Sequence, residues 1–168
     1  MKLNKRYSNK GYQAEQEAGI IFKELFDNVK RTNYHAFYDY LVSKGTLDIR
    51  IDVKYYDMKD SNYGYIIFPD KQFRKLLSYD HFLIYFTSNK GSCFLTPKQI
   101  LEHAHIHHYE LNPNHIKIVV RIKYVDGQLK IDEPKKCRFC LGKIKNKESF
   151  INKRDDMCEV IEMHSVQA

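Results

Sequence analysis

No apolar run in the 168 residues approaches the roughly 20 that a membrane-crossing helix needs; the best candidates are as short as Phe82-Leu83-Ile84-Tyr85-Phe86. The opening Met1-Lys2-Leu3-Asn4-Lys5-Arg6 carries charge with no apolar segment behind it, unlike a secretory signal. The expectation is an intracellular protein with no membrane partner. Glycine and proline are sparse, at 7 and 4, and no low-complexity tract occurs, which argues against disorder and against fibrous architecture. Cysteine is scarce too. Cys93, Cys137, Cys140 and Cys158 sit in a chain long enough to build a core without staples, so reduced thiols or a metal site fit better than a disulfide framework.

What is present is a surplus of positive charge. Twenty-eight Lys and Arg against 21 Asp and Glu give +7, and a small chain with this balance suits a polyanionic partner, nucleic acid first. The surplus is uneven. Residues 135–154 hold Lys135, Lys136, Arg138, Lys143, Lys145, Lys147, Lys153 and Arg154 against Glu148 alone, which equals the net charge of the whole chain. A solvated basic face with no nucleic-acid role is the plainer alternative. Length favours one domain with a small appendage, here residues 1–133 followed by a basic, cysteine-bearing extension over 134–168.

Residues 11–31 carry the clearest helical pattern: Ala14, Ala18, Ile21, Phe22, Leu25, Phe26 and Val29 recur at spacings of three and four. Residues 33–56 read instead as a hairpin turning at Ser43-Lys44-Gly45. Its second arm alternates strictly, with Leu47, Ile49, Ile51 and Val53 on one face and Asp48, Arg50, Asp52 and Lys54 on the other. Strands are expected at 63–68, 81–87 and 93–95, and helices over 71–77 and from the capping Thr96 to about His105. Residues 116–125 and 128–131 flank Asp126-Gly127, a tight-hairpin signal.

Four polar groups on one strand face suit a buried sheet only when they are paired or liganded. Asp52-Val53-Lys54 is the informative triplet, because period two sets a carboxylate and an ammonium side by side with Val53 in the core. Such a pair can hold a divalent cation through the acid while the lysine orients a water. The other hairpin arm offers a second acid at Asp39. Asp48 is a rival, but two acids four residues apart on one strand lie roughly 13 Å apart, too far to share one cation. The alternative for the strand is an exposed face laced with Asp–Arg and Asp–Lys pairs.

Asp39 and Asp52-Val53-Lys54 in this order resemble the motif of the PD-(D/E)XK nucleases, and Lys10-Gly11 followed by Glu15 resembles the opening of the archaeal Holliday-junction resolvases. The resemblance covers roughly residues 8–100. Tyr38 precedes Asp39 where the family pattern has proline. The resemblance implies an α/β fold with a restriction-endonuclease-like core: a helix, an antiparallel β-hairpin or three-stranded sheet, a crossover helix and a further strand. It also implies Mg²⁺ (or Mn²⁺)-dependent hydrolysis of phosphodiester bonds in duplex or branched DNA. Asp39, Asp52 and the main-chain carbonyl of Val53 would then ligate the metal, Glu15 would complete the site, and Lys54 would position the attacking water. A symmetric homodimer would accompany resolvase-like activity. A non-catalytic nucleic-acid-binding module is the alternative from another class.

Lys5, Arg6, Lys10, Lys135, Lys136, Arg138, Lys143, Lys145 and Lys147 are the candidate phosphate contacts, and Tyr7, Tyr12, Tyr55 and Tyr56 the candidate stacking residues. Cys137-x-x-Cys140 has the knuckle spacing of a structural Zn²⁺ site that Cys158 and His164 could complete, against unmetallated thiols. Cys93 reads as a core residue. His103, His105, His107 and His108 read as side chains near a helix end rather than metal ligands.

Overall fold

Segment 11–31 is the first to depart from its periodicity. The computed structural model describes residues 9–32, 36–109, 112–132 and 140–143. Helix α1 runs over Asn9–Leu25, and Asn28–Arg31 form a strand, β1, so the helix expected to residue 31 is corrected. Val29 fits helical spacing from Phe26, but Asp27 is taken up by the neighbouring hairpin. Its N–H donates to the Ser43 carbonyl (2.9 Å) and its carboxylate accepts the Gly45 N–H (2.7 Å). With the chain turned there, β1 gains a ladder that an extended α1 would forgo.

Strands β2 (Tyr40–Lys44) and β3 (Leu47–Tyr56) form the expected hairpin. It turns through Gly45 at φ +60°, a left-handed conformation that a Cβ resists. Then come β4 (Tyr63–Pro69), helix α2 (Asp70–Leu77), β5 (Phe82–Ser88) and β6 (Gly91–Leu95). The first sheet has the order β1-β2-β3-β5-β6; β3 and β5 are parallel and the other pairs antiparallel. Helix α3 (Pro97–His103) opens on a capping box, with the Thr96 hydroxyl accepting the Gln99 N–H and the Gln99 side chain accepting the Thr96 N–H.

The helix expected to His105 stops at His103, because Ala104 is extended (φ −73°, ψ 143°). His105, His107 and His108 lie on strand β7 (His105–Tyr109), which corrects their placement near a helix end. Strands β8 (Asn112–Val125), β9 (Gln128–Asp132) and β10 (Cys140–Lys143) follow. They complete a second, antiparallel sheet in the order β10-β7-β8-β4, with β9 also paired to β8. Asp126 (φ 54°) and Gly127 (φ 76°) make its tight hairpin. The architecture is α/β, with one mixed sheet and one antiparallel sheet.

The first sheet is covered on both faces. Against α1 it buries Phe22, Val42, Ile49, Ile51, Leu83 and Tyr85; toward the second sheet and α2 it buries Phe82, Ile84 and Phe86 against Ile66, Phe68, Phe73, Ile118 and Val120. That is why β5 is apolar at consecutive positions while β3 alternates. Arg50, Asp52 and Lys54 of the polar row of β3 therefore face the gap between the two sheets, while Asp48 at the hairpin end stays exposed.

Gly19 is a point of close approach between α1 and the hairpin. A Cβ there would stand 2.6 Å from Tyr40 Oη, whose hydroxyl donates to the Glu15 carbonyl at 2.7 Å. Gly19→Ala gains about 1 kcal/mol of helix propensity but overpacks a buried contact at a typical cost of about 1–3 kcal/mol. A net destabilisation of about 1 kcal/mol is expected as a lower urea midpoint at unchanged m-value.

Candidate active site

Asp39 lies one residue before β2. Its N–H donates to the Ile51 carbonyl (3.0 Å) and its carbonyl accepts the Thr32 N–H (2.9 Å), so backbone bonds hold it between β1 and β3. Ile51 is already the partner of Tyr40, so the β2–β3 register slips at Asp39, and the Asp39 carboxyl still comes within reach of the Asp52 charge. The Thr32 hydroxyl also donates to the Tyr38 carbonyl, tying the approach to Asp39 onto the end of β1.

Asp52 is 4% exposed. Lys54, two residues along the same face, brings Nζ to 3.1 Å from Asp52 Oδ2, a charge contact whose alignment leaves that oxygen without a hydrogen bond. The lysine lies over the Phe68 ring at 4.9 Å and donates to Gln72 Oε1 at 3.3 Å. Gln72 Nε2 in turn donates to the Phe37 carbonyl at 3.0 Å, so one α2 side chain joins Lys54 to the segment that carries Asp39.

Burial pushes the Asp39 carboxyl up, to about 8, reinforced by the nearby Asp52 charge and then by Glu15; only the Val53 N–H, donated to Asp39 Oδ2 at 2.7 Å, pulls the other way. Near neutrality Asp39 thus keeps its proton. Glu15 comes from α1, close enough to act on Asp39, and its Oε1 is held by Arg31 at 2.9 Å. Arg31 also lies 5.0 Å from the Tyr12 ring centroid. Among the described residues no three His, Cys, Asp or Glu side chains form a ready metal-binding group. The donor set is a neighbouring carboxyl pair with a third carboxylate nearby, engaged by an arginine.

Glu15, Asp39, Asp52 and Lys54 therefore lie in one neighbourhood. Asp48 is exposed at the hairpin end of β3, paired in register with Ser43, away from Asp52. Lys10 forms an exposed ion pair with Asp57 at 3.1 Å. Tyr55 and Tyr56 end β3. Cys93 is a core residue whose burial pushes its thiol up to about 12. Lys5, Arg6, Tyr7, Lys135, Lys136, Cys137, Arg138, Lys145, Lys147, Cys158 and His164 lie outside the described residues; Cys140 and Lys143 bound β10, with side chains outside them.

Sequence reasoning missed Arg31 and Gln72, and placed Arg50 on the Asp52 face without giving it a role. Arg31 was hidden by reading its segment as helix. Gln72 offered only a polar residue before the core position Phe73. Arg50 lies on the Asp52 face, with its guanidinium 4.3 Å from the Tyr79 ring centroid and 5.4 Å from that of Tyr38. No family model, curated protein or solved structure matches the chain.

Proposed function

We propose that the chain is a Mg²⁺- or Mn²⁺-dependent endonuclease of the PD-(D/E)XK type that hydrolyses phosphodiester bonds in DNA. One observation carries this reading: the Asp39 and Asp52 carboxyls lie within reach of each other in a largely buried site, with Lys54 Nζ 3.1 Å from Asp52. Two like charges so placed repel unless a proton or a cation stands with them. The element order adds support, since helix α1, the meander β1-β2-β3, crossover helix α2 and the parallel strand β5 follow the plan of a restriction-endonuclease-like core.

The residues fit a hard divalent ion. Asp52 Oδ2 is a buried oxygen without a hydrogen bond, and one or two carboxylates with water and substrate phosphate are the usual company of Mg²⁺. Asp39, Asp52 and the Val53 carbonyl would hold it, with Glu15 acting directly or through water. When bound, the ion lowers the pKa of water and stabilises charge on the phosphoryl oxygens. Lys54 orients the water, Gln72 fixes the lysine, and the Val53 N–H keeps Asp39 turned toward Asp52.

A non-catalytic DNA-binding module on the same framework draws on the Glu15–Arg31 and Asp52–Lys54 pairs, which neutralise charge without metal. Supercoiled plasmid incubated with the protein in Mg²⁺, Mn²⁺ or EDTA separates the two. Nicking or linearisation with metal and none with EDTA is expected; intact plasmid in both cations would leave the binding module. Parallel reactions on a four-way junction and a linear duplex distinguish resolvase-like from restriction-like cutting.

A further inference from the structure

On the outer face of the second sheet, cross-strand partners bring together aromatic rings and cations. Tyr63 pairs with Lys123 and Tyr65 with Arg121 between β4 and β8, and Lys123 pairs with Lys130 on β9. The Arg121 guanidinium lies 3.8 Å from the Tyr63 ring centroid yet leaves that residue 40% exposed, and Ile67, next on the same face of β4, is 38% exposed. Among the described residues Asp132 alone pairs with these cations, 3.6 Å from both Arg121 and Lys123, which leaves this part of the face a positive surplus. Arg121 Nε is buried without a hydrogen bond.

The face adjoins the candidate active site. The Tyr65 ring is 5.8 Å from that of Tyr56, which period two places on the Asp52 and Lys54 face of β3. Tyr56, Tyr65 and Tyr63 thus make an aromatic path from the catalytic strand over β4, with Lys123 and Lys130 beyond it. Paired bases keep their π-faces inside the duplex stack, so exposed rings such as that of Tyr63 serve unpaired bases, while Lys123 and Lys130 take the phosphates.

We propose that the outer face of β4, β8 and β9 binds an unpaired DNA strand and leads it to the Asp39–Asp52 pair. The proposal rests on the nuclease reading for its catalytic consequence and deepens it, since the preferred substrate then carries a single-stranded segment beside the cut. The test is fluorescence anisotropy in EDTA at fixed salt, using the full chain with labelled oligothymidine and with a blunt duplex of equal length. Tyr63→Ala with Tyr65→Ala should weaken oligothymidine binding by about 10- to 100-fold and leave duplex binding within about twofold. Tyr63→Phe with Tyr65→Phe keeps the π-faces and should bind as wild type. Equal losses on both ligands, no loss on either, or a Phe variant that fails like the Ala variant would each overturn the proposal. The measurement needs no metal, so an uncut plasmid in Mg²⁺ would remove the nuclease reading without altering this result.

Discussion

Asp52→Asn should lower metal-dependent plasmid cleavage by about 10²- to 10³-fold or more, the loss typical of removing one group that stabilises developing charge in a water-poor site. Asn keeps the shape and removes a formal charge from a residue that is almost wholly buried. DNA affinity should hold or rise, because a carboxylate that repels phosphate is gone. Lys54→Ala should fall by a comparable 10²- to 10⁴-fold if the amine acts on the water during reaction. The two variants differ in one respect. Lys54→Ala strands Asp52, whose nearest cation is that ammonium at 3.1 Å, and so should also melt earlier than wild type. Initial nicking rates at saturating plasmid, with anisotropy and melting on the same samples, read all three effects. Wild-type rates in both variants would remove the catalytic assignment of this pair.

The nearness of Asp39 to Asp52 is legible because a hairpin counts outward from its turn. Once Gly45 makes the bend and Lys44 opposes Leu47, each further step pairs residues in order as far as Tyr40 with Ile51, which leaves Asp39 at the end of the ladder near Asp52; the slip at Asp39 itself is beyond that count. Alternation likewise puts Asp52 and Lys54 on one face. Neither observation reveals how deep that face lies. Asp52 is buried because β4, α2 and the second sheet close over it, through pairings such as Tyr63 with Lys123 that join distant parts of the chain. Periodicity is a local signal and contains no such pairing. The end of α1 shows the other limit: Val29 satisfies helical spacing as well as a strand's, and only the Asp27 contacts with Ser43 and Gly45 decide. With β1 unseen, Arg31 had no place, and so its grip on Glu15 could not be foreseen.

Asp39→Asn should stabilise the metal-free protein at alkaline pH and remove most of its pH dependence there. The sign follows from a carboxyl raised from 3.8 to about 8 in the fold. The folded state binds a proton that the unfolded chain releases near pH 4, so this group's contribution is full below about pH 4 and is lost as pH rises through about 8. Asn mimics the protonated acid: its oxygen can still accept the Val53 N–H and its amide can donate to Asp52. At pH 4 and below variant and wild type should melt together. At pH 9 the variant should melt about 4–8 °C higher, on the order of 2 kcal/mol for a chain of this length. A divalent cation competes with the same proton, so Mg²⁺ or Mn²⁺ should raise the wild-type melting temperature more at pH 8 than at pH 6, with proton release on binding. The variant, lacking a carboxylate to ionise, should show neither the slope nor the metal response. A stability difference that stays constant from pH 5 to 9 would mean that Asp39 takes up no proton on folding. A metal response that survives Asp39→Asn would place the cation elsewhere.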